Sequence, residues 1–211
     1  MQDAGLIQVV FSVLVLVFSV VAHEVSHGYM AQYLGDPTAR LAGRLTLNPL
    51  RHIDPIGSLL VPFITSILPG GIVFGWAKPV PYNPYNLRPG RFSEAIVAGA
   101  GPLSNLVIAL IGGLIIRLGF FPTGMADILF LIIFINIILF LFNLIPIPPL
   151  DGSKILSSVL PRGLAFSYDR FRSYLEGNPF LGFGLVILFI ILAGGTFFGF
   201  IQSLAHAIAG I

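Results

Sequence analysis

The chain has 211 residues, of which 56% are hydrophobic and 9% charged; its net charge is +2 and it contains no cysteine. Soluble domains carry roughly 25% charged residues, so this composition excludes an ordinary soluble globule, and apolar runs that do not alternate exclude the strands of a β-barrel. Without cysteine there is no disulfide and no thiolate-held metal.

The first apolar run predicts a helix over residues 5–34, stopped by Gly35 and Pro37 in "YLGDP". It has no basic stretch in front, so it does not read as a signal peptide. A polar stretch with Arg40, Arg44 and Arg51 follows. Residues 53–81 are apolar but broken by Pro55, Pro62, Pro69, Gly70 and Gly71. Interrupted backbone is tolerated at membrane depth inside protein or beside water, so this part is expected to be a re-entrant or strand-like element, or a short helix. "GIVFGW" within it suggests an edge that could pair with an unwound substrate.

Two further helices are expected over 93–118 and 126–144. "IPIPPL" then breaks the chain, and a short helix follows Gly152. Residues 160–178 read as a polar stretch with Arg162, Arg170 and Arg172, and a last helix covers 179–207. The expected fold is an all-α polytopic membrane protein with five to six transmembrane segments, one domain over 1–211 and a core over 5–156. No repeat and no separate soluble domain stands out. Arginines follow the first helix and none precede it, so its C-terminal end is expected in the cytoplasm.

Chemistry enters at "HEVSH", residues 23–27. On a helix, residues four apart share a face, so His23 and His27 can offer nitrogens to one Zn²⁺, with Glu24 beside it to take a proton from water. A lone intramembrane histidine can be a hydrogen-bonded core residue and a lone glutamate a proton carrier. A carboxylate at mid-helix costs about 2.5–3.5 kcal/mol on insertion scales, and a metal would explain why it sits there. A third ligand is needed. His52, His206, Glu94, Asp127, Asp151 and Glu176 are available, and Asp151 is the one expected at the depth of His23; it would also serve as a helix N-cap. Asn143 could hold an oxyanion or cap a helix end. An ion or proton transporter with a metal-dependent gate is the alternative class, but transporters usually show a repeat of broken helices.

"HEVSHG", "GAGPLSN" (99–105) and "NLIPIPPLDG" (143–152) resemble, in this order, the three motifs of the site-2 protease family of intramembrane zinc metalloproteases. "GRLTLNPLRHIDPIG" and "FGWAKPVPYNP" are similar to its short bacterial and archaeal members, which lack PDZ and nucleotide-binding modules. The resemblance implies one Zn²⁺ per chain held by His23, His27 and Asp151, with Glu24 as general base. It implies that a water on the zinc attacks peptide bonds in or near transmembrane segments of membrane protein substrates. It further implies that Asn143 binds substrate backbone or oxyanion, that Asn105 lies in the catalytic core as a second candidate for that role, and that the active site of this multi-pass protein faces the cytoplasm.

Overall fold

The structure, a computed structural model, describes residues 2–55, 57, 77–119, 122 and 124–211. Its α-helices are α1 (Gln2–Tyr33), the single turn α2 (Thr38–Leu41), α3 (Ser93–Leu118), α4 (Ala126–Asn143), α5 (Asp151–Val159), α6 (Arg162–Glu176) and α7 (Pro179–Ala209). Among the described residues there is no strand. Four of the helices are long and apolar enough to cross a membrane: α1 from Gln8, α3, α4, and α7 from Phe180. The expectation of five to six crossings included residues 53–81. Most of that segment, with its proposed edge at 72–74, lies outside the described residues.

The helix ends follow from local chemistry. Gly35 takes φ +108, and the N–H groups of Gly35 and Asp36 bond back to the Gln32 and Ala31 carbonyls, closing α1 as expected. Gly119 closes α3 in the same left-handed way at φ 69. One sequence expectation is corrected here: residues 160–178, read as a polar stretch, contain the helix α6. Its inner side packs through Leu175 and the Arg172–Glu94 pair, contacts with distant parts of the chain that a hydropathy reading does not contain.

α1, α3 and α4 run alternately up and down, and α7 runs parallel to α3. At one end, the start of α3 lies near α6 through Glu94 and Arg172. At the other, Arg117 in the last turn of α3 donates to the Ala207 and Ile208 carbonyls at the end of α7. Lipid supplies no hydrophobic drive between helices, so close packing of small residues matters. Ala109 of α3, Ile133 and Ile137 of α4, and Ile201, Ala205 and Ala209 of α7 form one buried cluster. At Gly112 an added Cβ would lie 3.0 Å from Ile133.

Between α1 and α3 the described loop is tied down by polar contacts. Asp36, fully buried, accepts from Thr38 N, Thr38 Oγ1, Asn83 N and Asn86 Nδ2 at 3.1, 2.5, 2.6 and 2.9 Å. Burial pushes its carboxyl up, but these four donors outweigh burial and hold it below the ordinary aspartate value. Arg88 N donates to the Leu34 carbonyl at 2.7 Å and Lys78 N to the His52 carbonyl at 2.9 Å. The segment from Lys78 to Arg88 is thereby held across the C-terminal end of α1.

Candidate metal centre

α1 carries His23 and His27 one turn apart on its buried face, 5% and 8% exposed. α3 backs them with Gly101: a Cβ there would lie 2.6 Å from His23 Nε2 and still closer to His27 Nε2. α5 starts with Asp151, 8% exposed, after the proline-rich turn that follows α4. Gly152 lets that turn close, because a Cβ there would collide with the Leu144 carbonyl.

Three donor atoms converge. His23 Nε2 and His27 Nε2 are 3.0 Å apart, and each is 3.1 Å from Asp151 Oδ2. The outer nitrogens are already used. His23 Nδ1 donates to Asn105 Oδ1 at 2.7 Å, and His27 Nδ1 donates to the Val97 carbonyl at 2.7 Å. In that tautomer each Nε2 turns a lone pair inward, toward the other and toward a carboxylate oxygen. Three electron-rich atoms so close repel unless a cation or proton lies among them. A tetrahedral ion with bonds of about 2.0–2.1 Å sets its donors roughly 3.3 Å apart, close to the spacing seen. The donor set therefore fits a metal of zinc type, and His23, His27 and Asp151 are the one His/Asp/Glu group among the described residues arranged to hold an ion. The second carboxylate oxygen, Oδ1, faces Lys154 Nζ at 3.8 Å, and that ammonium lies 5.4 Å from the Tyr82 ring centroid.

The other residues considered as third ligand lie elsewhere. His52 Nε2 donates to the Thr46 carbonyl in the loop. Glu94 and Glu176 are paired with Arg172. His206 packs on Phe130, and Asp127 lies in the first turn of α4. Glu24 is half-buried beside the centre, and its Oε2 accepts from Val80 N at 2.8 Å. Val80 stands between Pro79 and Pro81, so it owns the single N–H of that tripeptide.

Asn105 is fully buried and holds His23 rather than facing open space. Its Nδ2 donates to Asn136 Oδ1 at 2.9 Å and to the Ser19 carbonyl at 3.3 Å, so both amide hydrogens are engaged. Asn136, also fully buried, donates in turn to Ser19 Oγ and the Ile132 carbonyl, each at 2.9 Å. A polar chain therefore crosses α4, α3 and α1 and ends on a donor histidine. Asn136 and Ser19 were not among the residues picked from the sequence. An asparagine alone inside "FINIILF" was the available signal, since polar side chains within apolar spans are costly. Asn143 is half-buried, and its Nδ2 donates to the Leu139 carbonyl of its own helix at 3.0 Å.

Comparison with known proteins bears on this geometry. Residues 119–175, which include Asp151 but not the histidine pair, match the model of "Peptidase family M50". Over 173 residues the chain is 39% identical to "Putative zinc metalloprotease YwhC" of Bacillus subtilis, covering 78% of this chain and 75% of that protein. The chain belongs to peptidase family M50. It is also 31% identical over 190 residues to "Putative zinc metalloprotease Rip2" of Mycobacterium tuberculosis, covering 88% of this chain and 69% of that protein. The Rip2 of Mycolicibacterium smegmatis is 34% identical over 140 residues, 64% of this chain and 51% of the relative. No solved structure matches this M50 peptidase.

Proposed function

We propose that this M50 peptidase is a zinc-dependent endopeptidase that cuts membrane protein substrates within or near their transmembrane segments. The observation that carries the reading is the convergence of His23, His27 and Asp151 at 3.0–3.1 Å, with the Glu24 carboxylate on the same helix turn. These three residues would hold one zinc per chain. Zinc at this place supplies Lewis-acid polarisation of a peptide carbonyl and makes water acidic enough to react near neutral pH.

The chain's own groups do the remaining work. Glu24 accepts the proton of the attacking water on the oxygen that Val80 N–H leaves free, and returns it to the leaving amine. Asn105 and the Val97 carbonyl fix the two imidazoles in the tautomer that presents Nε2. Asn105 is thus a positioning residue in this reading, with no N–H left for an oxyanion. Asn143 can release Leu139, to which it is bonded within its own helix, and offer its amide to the substrate backbone or oxyanion.

The same geometry supports an active site towards the cytoplasm. His23 lies ten residues before the end of α1, about 15 Å at 1.5 Å per residue. Of the eleven Lys and Arg residues, Arg117 stands at the opposite end of the bundle from the rest. Glu24→Gln tests the function: it removes the base but no ligand. It should keep wild-type zinc content and lower cleavage of a membrane-embedded substrate by about 10²–10⁴-fold. Near-full cleavage by this variant would overturn the assignment. Asp151→Ala should instead lose zinc.

A further inference from the structure

We propose that the outer face of α6 is a docking surface for the anionic headgroup layer of the membrane that α7 enters. The inner face of α6 is fixed to the protein. Leu175 is buried, and Arg172 pairs with Glu94 at 2.9 Å and with Asp169 at 3.6 Å. Asp169 also accepts from Ser157 Oγ at 2.5 Å, and Tyr168 OH donates to the Pro146 carbonyl at 3.0 Å. These contacts reach α3, α5 and the turn after α4, so α6 lies across the end of the bundle at the membrane border.

The opposite face is apolar and aromatic yet open: Leu164 is 61% exposed, Phe166 73%, Phe171 46% and Tyr174 61%. Leu164 and Phe171 are seven residues apart, two turns along one side of the helix. The arginines divide the same way. Arg172 is turned inward onto carboxylates, whereas Arg162 and Arg170 are exposed and have no ion-pair partner among the described residues. Asp169 is turned inward, and the exposed Glu176 is paired with Arg172. The charge presented outward is therefore positive.

Two observations select lipid as the occupant. α7 begins three residues after α6 ends, and Phe180 in its first turn, 94% exposed, stands at the mouth of a membrane span. The open face of α6 thus continues into a surface that meets lipid. Aromatic rings with outward arginines also match the headgroup level, where rings sit at the boundary and cations meet anionic lipid.

The chain lacks cysteine, so single nitroxide labels can be placed without other changes. The full-length zinc-loaded protein, carrying Phe166→Cys or Phe171→Cys, is reconstituted into vesicles of phosphatidylcholine with phosphatidylglycerol. Collision with oxygen should exceed collision with a water-soluble nickel chelate several-fold relative to Leu47→Cys, an exposed loop position. Adding Arg162→Gln and Arg170→Gln, or using phosphatidylcholine alone, should shift both labels toward water. Labels that remain in water in the anionic vesicles overturn the proposal. So does spin–spin broadening that vanishes on dilution with unlabelled protein, which would make the occupant a second copy. Immersion that ignores both the arginines and the anionic lipid overturns it as well.

Discussion

Replacing Asn105 with leucine tests the link between the buried polar chain and the metal centre. Leucine keeps the branched outline of asparagine but is bulkier and cannot accept a hydrogen bond, so Asn105→Ala, which loses the same contacts without added bulk, is measured beside it to separate the lost acceptor from overpacking. In the parent chain Asn105 is fully buried, and its Oδ1 takes the His23 Nδ1 proton at 2.7 Å. In N105L that N–H is left buried without an acceptor. An unpaired buried donor costs about 1–3 kcal/mol. The imidazole can regain a partner only by rotating or by moving its proton to Nε2, and both remove His23 from the donor set. Loss of such a partner behind a ligand histidine weakens metal binding by about 10–100-fold, the same range reached from the opposite direction. Equilibrating purified protein with a chromogenic chelator of known zinc affinity measures the loss, and circular dichroism checks that helix content is retained. Asn136 acts on His23 only through Asn105, so N136L should cost less; hydrogen bonds between membrane helices average about 0.6 kcal/mol. The double variant should then resemble N105L alone. If N105L binds zinc as tightly as the parent, the chain of asparagines does not support the centre.

Gly101→Ala should abolish zinc retention, because its Cβ would come within 2.6 Å of His23 Nε2; metal analysis after purification reads this, and unfolding in chelator shows whether the metal-free fold is unaffected. Val80→Pro removes the N–H that Glu24 accepts, while Val80→Ala keeps it. The proline variant should cleave about tenfold more slowly or worse, given about 1.5–3 kcal/mol for a hydrogen bond to a charged group, with zinc still bound and the alanine variant less affected. Asp36→Asn should lower stability by about 1.5–3 kcal/mol at neutral pH. The Asp36 value is lowered on folding, so its contribution is present above the unfolded value and is lost as pH falls through the folded one. The gap between parent and variant in thermal unfolding should therefore close as pH drops below about 3.9; a gap that persists at low pH would assign the effect to packing.

The spanning helices were legible because each is a continuous apolar run with a marked stop. α3 was expected over the residues it occupies, with Gly119 in the left-handed conformation that ends it. α1 starts at Gln2 rather than near residue 5, and α7 runs on to Ala209. The histidine pair was legible because its spacing is local. Asp151 needed a depth argument, and the structure places its Oδ2 3.1 Å from both imidazoles. α6 was not legible, since exposed aromatics and arginines look like a loop when the bundle that its inner face packs against is unknown. Nor were the contacts Asn105–Asn136, Glu24–Val80 and Asp36–Asn83, which join residues 31, 56 and 47 positions apart and follow from no periodicity.

The three donors are far apart in the chain: Asp151 lies 128 positions after His23 and 124 after His27. A ribosome delivers them in that order, and earlier parts of a chain generally settle first. Once α3 has entered the membrane, Asn105 and Val97 can already hold both imidazoles in place. The carboxylate arrives only after α4 has crossed and its proline-rich turn has been made. A nascent M50 peptidase of this design therefore holds two imidazoles side by side, without the carboxylate, from the making of α3 until α5 begins. Until α5 is made the imidazole pair has no Asp151 beside it, so a metal ion met earlier finds only two of the three converging donors.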